Sequence, residues 1–422
     1  MSKIQNNAPS LSRKDKEILI RLVRRLAEIA ADPVMPERKR LWKALHAFHP
    51  ERPMILTEPP PAELFPPESL QCEGEWSRGR EQRWRWDIFI YEQVHDDTVV
   101  EPRITYGNKI IASGFGVEAV VEKGDDGKGH GSVRWDAPLK YLKTDMKRLH
   151  FQTFTFDRAG TLREKELLED VSRGILPVVN RSMLWWTQGL TGKAIKLLGL
   201  EAFMMAMYDQ PDELHELMAF LRDDQMHLLD FCEREGLLTL NNENDYVGSG
   251  GCGYIDRLPQ PDYIPNAPVR LKDLWGLSES QETVSVSPAM FAEFVFPYLL
   301  PLISRFGLAY YGCCEPVHDR WPIIKRIPNL HTVSIAPWAD QEKMVEFLGR
   351  NYGYARKPNP AYISTPQWNE ALIWDDLRKT ITLTKGLNLE LDMKDVHTLC
   401  NEPWRLGRWV QIARDIIADI YG

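Results

Sequence analysis

The stretch that decides the fold runs from residue 307 to residue 356, GLAYYGCCEPVHDRWPIIKRIPNLHTVSIAPWADQEKMVEFLGRNYGYAR. Short apolar runs at 307–311, 330–335 and 353–356 are separated by segments with helical spacing near 316–327 and at 340–349. Strands too short to return on themselves, each followed by a helix, indicate parallel strands joined by helical crossovers. Reading outward, the alternation continues. Residues 288–305 read as a helix, about 367–385 as another, 387–392 as a strand, and a final helix begins near 402. Upstream, Asp209 and Pro211 open a long helix whose apolar stripe includes Leu214, Leu217, Met218, Leu221, Leu228 and Cys232. Gly236 closes it, and a strand is expected at Leu237–Leu240.

The first half is less regular. Ser12 caps an amphipathic helix over 12–31 carrying Ile18, Leu19, Leu22, Leu26 and Ile29, which Asp32-Pro33 stops. A helix over 36–48 follows, and after His49-Pro50 the run Arg52–Thr57 reads as the first strand. Residues 78–95 look helical, and KGDDGKGHG at 123–131 reads as an exposed turn between two strands. The expected fold class is therefore α/β, a (β/α)8 TIM barrel (51–422) with an N-terminal helical extension (1–50). A doubly wound open sheet is the alternative, but no glycine-rich dinucleotide fingerprint follows the first strand.

Composition narrows the function. Lys+Arg total 52 and Asp+Glu 60 in 422 residues, a net charge of −8, so there is no basic footprint for a polyanion and no nucleic-acid partner is expected. The 43% hydrophobic content suffices for a large core. Six cysteines, scattered at 72, 232, 252, 313, 314 and 400, are too sparse for a disulfide scaffold. No apolar run reaches membrane-spanning length before a charge or proline breaks it, and the N-terminus has no signal-like apolar core. A cytoplasmic protein without a membrane partner is expected.

In a barrel, chemistry sits where strands end. Three polar clusters occupy such places: NNENDYVGSGGCGY at 241–254, YGCCEPVHD at 311–319 and DMKDVHTLC at 392–400. Cys313, Cys314, Glu315, His318, His397 and Cys400 are soft and borderline donors at two strand ends, from which about three would hold a catalytic Zn²⁺. The plainer alternative is that adjacent cysteines are small buried hydrophobes. Glu243, Asn244 and Asp245, with Glu58 after the first strand, are candidate catalytic groups, and Asn242, Tyr246 and Tyr311 candidate substrate contacts. For 241–246 the alternative is ordinary turn capping, and for Glu58 an exposed place in a proline-rich loop. Cys232 is read as helix core, Cys72 as packing or surface and Cys252 as a small loop residue. Trp84, Trp86, Trp185 and Trp186 are read as packing or the lining of an apolar pocket.

The stretches PERKRLWKALHAFHPERPMIL (36–56), LGLEAFMMAMYDQPDELHELMAFLRDDQ (198–225) and VSPAMFAEFVFPYLLPLISRFGLAYYGCCE (286–315) resemble the uroporphyrinogen decarboxylase superfamily, which includes cobalamin-dependent methyltransferases. The likeness covers roughly 36–420, its most specific part being the serine-proline-phenylalanine pattern at 287–294. It implies a TIM barrel with a deep site at the C-terminal strand ends. True decarboxylases carry an arginine-rich motif after the first strand, where this chain reads TEPPPAEL at 57–64, so porphyrinogen decarboxylation is not expected. The methyltransferase branch carries His-x-Cys at a strand end and a later Cys, together binding Zn²⁺. Here Tyr311-Gly312-Cys313 stands at the first position and His397–Cys400 at the second, so the first ligand is changed and Glu315 or His318 would replace it.

The resemblance implies metal-assisted methyl transfer between a small methylated substrate and a corrinoid (cobalamin) supplied by a partner protein, with a homodimer possible. Alternatives are a metal-free decarboxylase or lyase using Asp245 or Glu243, and a non-catalytic corrinoid- or tetrapyrrole-binding protein. The acidic, aromatic-flanked mouth suits neutral or cationic donors such as quaternary amines.

Overall fold

The computed structural model describes residues 11–58, 60–123 and 133–422. Eight strands among them run parallel to a neighbour: β1 (Met54–Thr57), β2 (Ile104–Tyr106), β3 (Val178–Asn180), β4 (Trp275–Ser278), β5 (Leu308–Tyr311), β6 (Leu330–Ile335), β7 (Gly353–Arg356) and β8 (Asn388–Met393). Six form one sheet in the order β1-β8-β7-β6-β5-β4, and β2 pairs with β3 alone. This is a TIM-barrel-like α/β arrangement in which, among the described residues, no backbone ladder closes the barrel.

Period-two alternation sets the two faces of the six-stranded sheet. Tyr311, Val333, Ile335, Tyr354, Leu389, Leu391 and Met393 point outward into the main core, beneath the crossover helices. Their neighbours Leu277, Tyr310 and Ala355 form a separate apolar cluster on the other face. That inner face also carries the charges: Glu390 and Asp392 are both 2% exposed. The last helix, Trp404–Tyr421, buries Leu406, Trp409, Val410, Ile412, Ala413, Ile416 and Ile417.

At the two seams no ladder forms among the described residues, and side chains supply bonds beside a few backbone ones. Between β1 and β2, the Asp97 carboxylate accepts from Ile55 N at 2.9 Å, Asp97 N donates to Ile55 O at 2.8 Å, and Asp96 accepts from Thr57 N at 2.9 Å. Between β3 and β4 runs the segment expected as a strand, Leu237–Leu240, which forms no ladder. The reason is local: Thr239 Oγ1 accepts from Ser182 N at 2.6 Å, and the Asn241 amide bonds both the N–H and C=O of Trp275 at 2.9 and 3.0 Å, doing with side chains what strand backbones would do.

The N-terminal helices are bound to this body. Ser12 caps Arg13–Ala30 by accepting from Asp15 N at 3.1 Å, and Asp15 in turn accepts from Glu73 N and Gly74 N, where the helix Glu75–Phe89 begins. From the helix Val34–His46, Trp42 donates to Asp97 O at 2.9 Å and His46 Nδ1 lies 2.7 Å from Tyr254 O. Most expected elements recur within a few residues. The expected helix at 288–305 is two, Pro288–Phe294 and Phe296–Ile303, with Pro297 and Pro301 in the second. Near 316–327 only a 3-10 turn at His318–Arg320 and a short helix, Trp321–Ile324, are found. The turn at 123–131 lies, beyond Lys123, outside the described residues; antiparallel strands Val120–Lys123 and Val133–Asp136 flank it.

Candidate functional site

The glycine-rich loop expected at a strand end enters the inner face of the sheet. A Cβ on Gly248 would lie 2.4 Å from the Tyr310 ring, and one on Gly250, at φ +86°, 3.0 Å from Asp392 Oδ2. Only glycine allows this approach. It places Ser249 against the end of β5, where its hydroxyl donates to Cys313 Sγ at 3.0 Å and accepts from Lys394 Nζ at 2.9 Å.

Two buried charged groups flank this contact. Lys357, just after β7, is paired with Asp392 and donates to Tyr310 OH at 3.0 Å. Burial opposes its charge, but Asp392 and Glu390 outweigh that and hold its pKa above the usual lysine value. Burial pushes Asp392 up to about 7, against the pull of Lys357 and helped by Glu390 and Glu58. Both Glu390 oxygens and Asp392 Oδ1 are buried without a hydrogen-bond partner. Lys394, at the exit of β8, is held charged against burial by the neighbouring Tyr246 and Glu58.

Cys313 is 4% exposed. The hydrogen bond from Cys314, at 3.5 Å, chiefly lowers its pKa; burial opposes, Ser249 and Lys394 assist, and the thiol comes down to about 7. The same hydrogen bond, with burial, raises the Cys314 thiol above its ordinary value. Its Sγ faces Asp395 Oδ2 at 3.8 Å. The strand end thus offers a nearly buried thiol that ionises more readily than an ordinary one.

The remaining metal candidates go to other partners. Glu315 is fully buried and accepts from Ser280 N at 2.9 Å and Cys313 N at 3.0 Å. His318 Nδ1 accepts from Asp340 N at 3.2 Å, Cys400 Sγ donates to Ser364 O at 3.4 Å, and His397 is exposed. As placed, these six side chains do not fit a zinc ion: among the described residues no three His, Cys, Asp or Glu side chains are grouped to hold a metal.

Glu58 and Cys313 lie at the same end of the sheet, both facing Lys394. Tyr311 faces outward, its hydroxyl 3.1 Å from Ser280 Oγ; Tyr310, one residue earlier, is the tyrosine on the inner face. Asn242 and Asn244 donate to backbone carbonyls, Leu258 O at 2.8 Å and Val99 O at 2.6 Å. Asp245 accepts from Arg181 Nε at 3.0 Å, and Glu243 is paired with Arg103. Burial alone would raise Glu243, but Arg103 and then Arg181 hold it below the usual carboxylate range, which disfavours a role as general base.

Beside this cluster, at the seam between β3 and β4, is a cavity of about 470 Å³ lined by Arg103, Arg181, Trp185, Trp186, Asn244, Asp245 and Tyr246 among others. Tyr246 joins the two regions, since it also faces Glu58, Lys394 and Lys357. Sequence reasoning missed Ser249, Lys357, Asp392 and Lys394. A signal was present: in NLELDMK (388–394) the polar Asn388, Glu390, Asp392 and Lys394 recur at every second position, the period of one strand face.

No family model matches the chain, and no curated protein matches it. Solved structures do. One, a methyltransferase from Methanosarcina mazei, aligns over 90% of this chain and 98% of its own, with TM-score 0.50 and 11% identity. At that identity the likeness concerns the fold, and it agrees with a TIM-barrel-like α/β architecture. Among the described residues no helix is long and apolar enough to cross a membrane.

Proposed function

We propose that the chain is an enzyme that moves a methyl group between a small methylated substrate, held in the seam cavity, and a corrinoid carried by a partner protein as co-substrate. The observation that carries this reading is Cys313, a nearly buried thiol with its pKa lowered to about 7 at a strand end, in a fold similar to that of a methyltransferase. Lys394 and Ser249 would keep that thiol ionised and oriented, and Tyr246, which lines the cavity and faces Lys394, would join the thiol's surroundings to the substrate. Asp392, paired with Lys357, would hold or release a proton near neutral pH. No step is routed through zinc, because the expected donors do not gather. That same lack of a gathered donor set, together with the Lys357–Asp392 acid–base pair, favours a metal-free lyase as the second reading.

The test is methylation of free cob(I)alamin by methylated amines and methoxylated compounds, run beside uroporphyrinogen turnover and a zinc determination. Methyl transfer that is lost in Cys313→Ser, without decarboxylation, is expected. Decarboxylation with no transfer from any donor refutes the proposal. Corrinoid binding without turnover of any kind would make the chain a binding protein.

A further inference from the structure

A second groove, of about 500 Å³, shares no lining residue with the seam cavity. The helix Arg13–Ala30 supplies Lys14, Glu17, Arg21 and Arg24 to it, and Arg173, which follows the helix Arg158–Ser172, joins them from across the groove. Positions 14, 17, 21 and 24 recur at three and four residues, the spacing of one helix face. Lys14 is paired with Glu73 and Glu17 with Arg13, but among the described residues Arg21, Arg24 and Arg173 have no ion pair and no side-chain hydrogen bond. With the partners of Lys14 and Glu17 counted, the groove keeps three positive charges. Residues 1–10, which precede the helix in the sequence, contain no Asp or Glu. The seam cavity is the opposite case, since its Arg80, Arg83, Arg103 and Arg181 are each paired with an acid.

We propose that this groove binds a triphosphate chain, either inorganic tripolyphosphate or the triphosphate of a nucleotide. Like charges three residues apart on a helix repel, and an anion between Arg21 and Arg24 relieves that repulsion. A guanidinium offers its donors as a planar fork that matches phosphate oxygens. From Lys14 to Arg24 the helix rises about 15 Å, so its cations stand in line and a linear chain meets them in succession where a single phosphate cannot. An acidic peptide is the weaker occupant, because it would lose backbone freedom at every residue laid along so short a strip. The net charge of −8 gave no reason to expect such a site. At 0.1 M salt, however, the Debye length is about 10 Å, so an anion in the groove responds to the cations beside it and not to the sum over the chain. The inference is independent of the proposed methyl transfer.

The experiment is a calorimetric titration of the full chain at low ionic strength, without magnesium, using tripolyphosphate, ATP, orthophosphate and a tetraglutamate peptide. Tripolyphosphate is expected to bind at least about tenfold more tightly than orthophosphate. It should lose about threefold in Arg21→Gln or Arg24→Gln and about tenfold when both are replaced, the scale of exposed ion pairs. Both arginines are exposed, and thermal melts check that the variants are folded. Arg25→Gln is the control: it removes an arginine of the same helix that is paired with Glu28 and Glu92 and lies outside the groove, and it should leave the affinity unchanged. Equal affinity for ATP and tripolyphosphate supports a site for the bare phosphate chain, and tighter binding of ATP supports one for a nucleotide. Orthophosphate or tetraglutamate binding as tightly as tripolyphosphate overturns the proposal, as does the absence of binding. Unchanged affinity in the folded double variant, or an equal loss in Arg25→Gln, overturns it as well.

Discussion

From β4 round to β1, each strand is joined to the next by backbone hydrogen bonds in parallel register, whereas the seams have no ladder and Asp96, Asp97, Thr239 and Asn241 add side-chain bonds to a few backbone ones. The laddered side buries charge: Lys357, Glu390 and Asp392 sit on its inner face, each nearly inaccessible. The seam side leaves volume, and its arginines and acids line a cavity. A continuous ladder fixes the backbones of β7 and β8 beside each other, and Lys357 and Asp392, which leave those strands, are paired. Side-chain bridges span a wider gap, and a ligand-sized space remains behind them. Buried charge on the inner face and ligand-sized space are thus supplied by different halves, meeting at Tyr246.

The largest test of this contrast is Asp97→Ala. Asp97 is buried and joins Ile55 N to Arg52, at 2.8 and 2.9 Å, and to Arg414 at 3.0 Å. Removing it strips two guanidiniums of their partner, and a loss of about 3–5 kcal/mol in urea denaturation is expected. A near-neutral result would mean that the β1 seam is held by something other than this carboxylate. Gly248→Ala should cost about 1–3 kcal/mol, since the new Cβ meets a buried Tyr310 ring at 2.4 Å. Loss of the Lys357 contact, read as altered pH dependence of stability, would accompany it. Asn241→Ala removes two bonds to Trp275 and is expected to cost about 1–2 kcal/mol, with hydrogen exchange accelerated at β4 before β6.

The smallest effect concerns Cys313. Its alkylation by iodoacetamide, followed by peptide mass, should rise with pH through about 7, because the thiolate reacts and the thiol does not. Lys394→Met withdraws a positive charge that favours the thiolate, so the profile moves toward the ordinary thiol value of 9.0. At pH 7 the rate is expected to fall about threefold, with the difference closing as pH rises past both values. An unmoved profile would show that Cys314 and Ser249 alone set the thiol.

The laddered half was the legible half. Runs at 330–335 and 353–356 match β6 and β7 residue for residue, since buried parallel strands are short, apolar and bounded by helices. Outside that run β2, β3 and the edge strand β4 escaped notice. Ile104–Tyr106 and Val178–Asn180 are three residues each, too short for a pattern, and Trp275–Ser278 looks like loop until Asn241 is seen beside it. The site divided in the same way. Cys313, the 241–254 loop and Glu58 stand at strand ends in the sequence, but whether neighbouring thiols become a metal site depends on where Glu315, His318, His397 and Cys400 point.

By itself the sequence determined the α/β alternation, the N-terminal helices and the concentration of reactive side chains after the strands. Each of these follows from local periodicity or composition, which needs no partner to be read. Tertiary structure alone decided that the glycine loop fills the inner face, that Lys357 meets Asp392 from 35 residues away, and that Glu243 and Asp245 are tied to arginines rather than free. Those outcomes depend on distance through space and on burial, which set a carboxylate's protonation and a thiol's ionisation and are fixed only when strands far apart in the chain come together.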